Sequence, residues 1–162
     1  MIDWTQLWGW FAAIAGFSAL AAREERSVRI GLIVHTVCYL VHFALLGLPA
    51  AVVANVVALM RLTLSLRYRS WWLVVVLTGA ALMPCFFYGT GWVSLLPMAA
   101  SVVLTVALFR FEGARLRVSI LVASLLWLIH NLVVGSLGGV VVECGMSLSS
   151  LCGLLREKRL QH

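Results

Sequence analysis

The sequence predicts an all-α polytopic membrane protein. It has seven transmembrane helices, arranged as two parallel three-helix repeats joined by a linker helix. Three observations carry this reading: an extreme apolar composition, a series of apolar runs each about long enough to cross a bilayer, and polar and glycine positions that recur at one constant spacing. Of the 162 residues, 63% are hydrophobic and 11% charged, and the mean hydropathy is +1.05, well outside the range of soluble domains. At roughly 20 residues per spanning helix, at most about seven spans fit. A single transmembrane domain is therefore expected over 1–162.

The runs fall near residues 4–21, 28–46, 50–68, 70–88, 93–110, 117–134 and 138–155. The first begins MIDWTQLWGW with no basic segment before it, which reads as a spanning helix rather than a cleaved signal peptide. The second carries His35 and His42, the third Asn55 and Arg61, the sixth His130 and Asn131, and the seventh Glu143, Ser147 and Ser150. The fourth has no charged residue and serves as the linker.

A net charge of +6 would point to nucleic acid in a soluble protein, but here its placement decides otherwise. Eleven of the 12 basic residues form four clusters: Arg23, Arg26 and Arg29; Arg67 and Arg69; Arg110, Arg115 and Arg117; Arg156, Lys158 and Arg159. Every other connection (residues 47–49, 88–91 and 135–139) has no basic residue. The positive-inside rule then puts the N-terminus outside and the C-terminus in the cytoplasm, with the clusters facing anionic lipid. Trp4, Trp8, Trp10 and Trp92 fall toward the outer interface, Trp71 and Trp72 toward the inner one. Cys38, Cys85, Cys144 and Cys152 sit in or beside apolar runs without C-x-x-C spacing, the pattern of buried free thiols rather than disulfides or a metal site.

A shift of 88 positions lays VHFALLGLPAAVVAN (41–55) over IHNLVVGSLGGVVVE (129–143). His42 meets His130, Gly47 meets Gly135 and Asn55 meets Glu143, and the same shift pairs Glu24 with Glu112 and Arg29 with Arg117. Apolar matches mean little between membrane helices, but polar and glycine matches in one register are specific. Repeat one spans about 5–69, the linker about 70–90 and repeat two about 93–157. A unit of three spans repeated directly would point the opposite way in the membrane; the single linker span restores its direction, giving a parallel repeat about an axis along the membrane normal.

The stretches MRLTLSLRYRS (60–70), SLLPMAASVVLTVALFR (94–110) and WLIHNLVVGSLGG (127–139) resemble the bacterial inner-membrane family typified by YgjV. The likeness covers nearly the whole chain and implies the bacterial inner membrane as its location. The three-one-three plan also resembles the SWEET and PQ-loop transporters. That resemblance implies a solute site on the pseudo-twofold axis, where SWEET proteins place a paired asparagine from the third helix of each unit; the matching positions are Asn55 and Glu143. The proline–glutamine dipeptide that names the PQ-loop group is missing, since the prolines are Pro49, Pro84 and Pro97.

His42 and Asn55 lie about 9 to 10 Å below the turn centred near Leu48, on adjacent antiparallel helices. Symmetry gives His130, Asn131 and Glu143 the same depth, and Arg61 lies deeper, about 16 Å down. These six residues are the candidate substrate-binding set, because polar groups inside hydrocarbon are costly unless paired or functional. Interhelical hydrogen bonding that merely fixes the hairpins is the competing reading. Glu143 is the only acid well inside a span, and a protonatable carboxylate there can couple solute movement to protons. Arg61 favours an anionic group on the solute, although it sits about 120° round the helix from Asn55.

No cofactor or metal is predicted: two histidines at one depth raise haem ligation only weakly. No catalytic signature of the H-E-x-x-H or G-x-S-x-G kind is present, so an enzyme is not expected. The reading reached is a small-solute transporter with a polar site between the repeats, its partners being the bilayer and a small polar or anionic solute. The alternative is a non-transporting scaffold or partner subunit with a plugged cavity. Small residues such as Gly9, Ala13 and Gly16 leave packing within the chain or in a homo-oligomer both open.

Overall fold

Residues 4–21, 25–65, 67, 68, 70–87 and 91–160 are described by a computed structural model, with the side chains of 20, 21, 25, 26, 28, 29 and 156–160 excepted. Arg23, Glu24 and Arg69 lie outside the described residues, as do the side chains of Arg26, Arg29, Arg156, Lys158 and Arg159. The chain forms helices α1 (Trp4–Ala21), α2 (Glu25–Leu45), α3 (Pro49–Leu64), α4 (Trp71–Leu82), α5 (Pro84–Phe87), α6 (Trp92–Arg110), α7 (Gly113–Val134) and α8 (Leu137–Leu160). No strand occurs among the described residues.

Three helical stretches are long and apolar enough to cross a membrane, Trp92–Arg110, Gly113–Val134 and Leu137–Leu155. Ile30–Leu45, Pro49–Leu64 and Trp71–Phe87 are shorter apolar stretches. Two predicted elements differ in outline. The fourth run is not one helix: Pro84 has no N–H to offer Ala80, and the chain instead makes a tighter turn in which Met83 N donates to Ala80 O at 3.3 Å before α5 begins. The third helix stops at Leu64, four residues short of its predicted end, in a turn where Arg67 N and Tyr68 N both donate to Leu64 O.

Six helices touch their neighbours in a closed ring, in the order α1, α2, α3, α6, α7, α8 and back to α1. α4 packs outside the ring against α3 and α6, and α5 touches α3 and α4. One end of the ring carries two matching turns. Gly47 follows α2 and Gly135 follows α7, with φ of 68° and 73°, a left-handed conformation that only glycine adopts without strain. The other end carries Arg67 and Arg110, the latter with its guanidinium carbon 4.2 Å above the Trp71 ring.

Burial follows the logic of a lipid solvent. Large apolar side chains such as Val75, Val76, Phe86 and Leu148 point outward, while many of the buried positions are small or polar. Gly9, Ala13 and Gly16 are taken up inside the chain: Gly9 packs on the His42 ring, Gly16 on the His35 ring, and Ala13 is buried. The thiols are free as predicted, but Cys144 and Cys152 are exposed rather than buried, because they lie on the outward face of α8.

α8 meets α1 closely at Gly138, where a Cβ would run into the backbone of Gly9. Backbone cannot yield as a side chain can. Gly138→Ala is therefore expected to cost about 1–3 kcal/mol, the range for overpacking, read as a lower melting temperature of the purified protein; an unchanged value would mean the helices do not meet there.

Candidate functional site

The ring encloses a cavity of about 260 Å³, several times the roughly 30 Å³ share of one liquid water. Each helix contributes the stripe that its period allows, residues three or four apart on the inward face. On α2 the stripe is Leu32, His35, Thr36 and Tyr39; on α3 it is Ala54, Asn55, Ala58, Arg61 and Leu62. The cavity begins about 9 Å along α2 from the Gly47 end and extends to about 20 Å.

Asn55, Arg61 and Glu143, three of the six predicted site residues, line this space. Asn55 ties its own amide to the helix, Nδ2 donating to Ala51 O at 2.8 Å. Arg61 reaches across to α6, where Nη1 donates to Ser101 O and to Thr105 Oγ1, both at 3.3 Å, while its buried Nε has no hydrogen bond. The long side chain brings the guanidinium onto the cavity despite the angular offset from Asn55. Glu143 lies beside Ser124 of α7 and close enough to Tyr39 for charge to act between them. The Tyr39 hydroxyl is buried without a hydrogen-bond partner.

His42, His130 and Asn131 do not line the cavity; they occupy the layer between it and the Gly47/Gly135 end. His42 Nδ1 donates to Thr5 O at 2.6 Å, so in the neutral ring Nε2 accepts from Ser136 Oγ at 2.8 Å. With Gln6 Nε2 donating to Gly135 O at 2.8 Å, this pins α1 and α2 to the α7–α8 turn. His130 packs edge-on to Phe43 and Trp127, with centroids 5.6 and 5.4 Å apart. Its Nδ1 and both polar atoms of the neighbouring Asn131 amide are buried without a well-formed hydrogen bond. Phe43, wholly buried, stacks on Trp127 at 5.5 Å and contacts Tyr39 and His42, so an aromatic layer closes this end of the cavity.

The lining carries a regularity at the spacing seen in the sequence. Thr36 and Ser124, Tyr39 and Trp127, and Asn55 and Glu143 are each 88 residues apart, and all six face the cavity. So do Gly16 with Leu104, Leu32 with Ile120, Ala54 with Val142 and Ala58 with Met146; in all, 14 of the 19 lining residues fall into such pairs. Arg61 has no such counterpart on the lining.

Comparison with known proteins adds location. The profile of a family described as "Imp-YgjV: Bacterial inner membrane protein" matches residues 3–161. The chain belongs to the YgjV family. It is 32% identical over 156 residues to the inner membrane protein YgjV of Escherichia coli (strain K12), an alignment covering 94% of this chain and 84% of that one. Membership of the YgjV family makes this a bacterial inner membrane protein, in contact with the lipid bilayer. No solved structure matches the chain, so the wider likeness to SWEET and PQ-loop transporters rests on helix count and spacing alone.

Tyr39, Ser124, Thr36 and Trp127 were missed as site residues from the sequence, although they are two pairs of the same register. The signal was available: on α2 and α7 the positions six and three residues before the paired histidines trace one helical stripe. Ser147 and Ser150, which follow Glu143 along α8, do not reach the lining; Ser147 Oγ is buried without a partner. Among the described residues no cluster of three or more His, Cys, Asp or Glu forms, and His42 commits both ring nitrogens to protein partners.

Proposed function

We propose that this YgjV-family protein is a small-solute carrier of the inner membrane whose binding site is the cavity inside the six-helix ring. The observation that carries the proposal is a buried arginine and a buried glutamate on one open cavity, with no ion pair between them. A scaffold retaining an inherited repeat has no reason to keep that space unfilled, since each buried charge and each void costs stability.

The arrangement we infer is two three-helix repeats, α1–α3 and α6–α8, with α4 and α5 as the linker. Three features support it: the paired lining at one spacing, the left-handed turn glycines Gly47 and Gly135 at that same spacing, and a ring in which α1 meets α8 as α6 meets α3. Asn55 and Glu143 then sit beside the repeat axis, and His42, His130 and Asn131 act as supports of the closed end. We take the protein to be a binder rather than an enzyme, its polar groups serving recognition.

Orientation follows from the arginine-bearing end, which we place in the cytoplasm. Reporter fusions after Leu48, Arg69, Gly91, Leu116 and Gly138 are expected to alternate outside, inside, outside, inside, outside; one reversal breaks the seven-span topology.

The decisive experiment is a ligand-stabilisation screen of sugars, carboxylates, nucleosides and amino acids on purified protein, followed by uptake into proteoliposomes. A stabilising solute should be transported, and Ala58→Phe, which fills the cavity from its lining, should abolish both effects while leaving the protein folded. Stabilisation that survives this filling, or the lack of any stabilising solute, favours the scaffold.

A further inference from the structure

The chemistry at the two poles of the cavity specifies more than a polar solute. One pole is anionic and aromatic. The Glu143 carboxylate lies beside Ser124 and near Tyr39, and the Trp127 ring shares the lining. The other is cationic and hydroxylated: the Arg61 guanidinium, fixed on one side by Ser101 O and Thr105 Oγ1.

Both charged side chains are more than nine-tenths buried, with relative exposures of 5% for Arg61 and 8% for Glu143. Among the described residues neither has an oppositely charged partner. Yet they face one cavity and belong to opposite halves of the ring, α3 and α8. Two opposite charges that share a cavity without touching can be satisfied together by one molecule that carries both signs.

We propose, resting on the reading of this cavity as a solute site, that its ligand is a small zwitterion. Its ammonium sits at Glu143 beside Tyr39 and Trp127, and its carboxylate sits at Arg61. Each end gains a charge-assisted hydrogen bond, and the aromatic rings add cation–π attraction at the ammonium end. A sugar leaves both charges unpaired, a simple carboxylate leaves Glu143 unpaired, and a simple amine leaves Arg61 unpaired. The cavity volume suits a molecule of amino-acid size.

The test uses the full chain in lipid nanodiscs and measures affinity by calorimetry for matched probes. The zwitterions are glycine, L-alanine, L-serine, β-alanine and γ-aminobutyrate; the acids are acetate, propionate and butyrate; the amines are ethylamine and propylamine. At least one zwitterion should bind roughly tenfold or more tightly than its matched acid and amine, the effect of a second charged hydrogen bond. Glu143→Gln should erase the advantage over the acid, and Arg61→Gln the advantage over the amine. Because each variant is read as a ratio of affinities within one preparation, partial loss of folded protein does not imitate the result. Equal binding of acid and zwitterion, or binding by sugars or nucleosides alone, overturns the zwitterion and leaves the carrier standing. Binding by no solute overturns both.

Discussion

Phe43→Ala is expected to lower the stability of the protein by about 3–5 kcal/mol, the range for truncating a fully buried aromatic side chain. Phe43 is fully buried at the centre of the layer that closes the cavity, stacked on Trp127 at 5.5 Å and within 5.0 to 5.6 Å of the rings of His42, Tyr39 and His130. Its removal takes away ring contacts on four sides, and the backbone around it cannot collapse, because the His42 and Gln6 bonds hold the surrounding helices in place. A void should therefore open between the cavity and the Gly47/Gly135 end.

Cys38, packed in the same cluster as Phe43, reports on that void. In a background with Cys85, Cys144 and Cys152 replaced by serine, Phe43→Ala should make Cys38 react with a membrane-impermeant maleimide added from outside, while the parent stays unlabelled. A large fall in melting temperature without labelling would mean that the layer is structural packing and does not separate the cavity from that surface.

Much of the helical plan was legible because lipid imposes it. Apolar runs of spanning length, broken by glycine turns and arginine clusters, leave little freedom in where helices begin and end. What the sequence blurred were the local exceptions. Pro84 breaks the fourth run because a missing N–H acts at one residue, beneath the resolution of a hydropathy window. The early stop of α3 at Leu64 is a turn within an apolar stretch, and composition alone does not see it.

The candidate site was half legible for a related reason. Charged and amide residues stand out against hydrocarbon, so Asn55, Arg61 and Glu143 were found, but depth alone assigned His42 and His130 to the same place. Both lie one turn nearer the Gly47/Gly135 end than the lining residues Tyr39 and Trp127, where His42 bonds to Thr5 and Ser136 and His130 packs in the aromatic layer. Tyr39, Thr36, Ser124 and Trp127 look ordinary in a membrane helix, and only their rotation toward the cavity makes them lining residues.

Arg61→Met is expected to raise the stability of the ligand-free protein by about 1–4 kcal/mol, the gain seen when buried charges give way to apolar side chains of similar size, while solute binding falls by roughly ten- to a hundredfold. The reasoning turns on what the guanidinium does without a ligand. Its two hydrogen bonds, at 3.3 Å, are long for charged donors, and its Nε has none. Nor does it hold α6 alone: Thr105 Oγ1 already donates to Ser101 O at 2.7 Å, so Thr105 and the carbonyl remain paired when Arg61 is replaced. On the proposed reading, a charge so buried and so poorly compensated is one that a bound solute completes, at the expense of the empty protein. Arg61→Lys should keep part of the affinity, since it keeps the charge but not the planar fork. Thermal unfolding of the three proteins with and without the stabilising solute reads both effects at once. Should Arg61→Met instead lower the unliganded melting temperature by an amount matching 3–5 kcal/mol, as for a broken buried pair, Arg61 is a structural tie between α3 and α6, and the cavity loses its cationic pole as a recognition element.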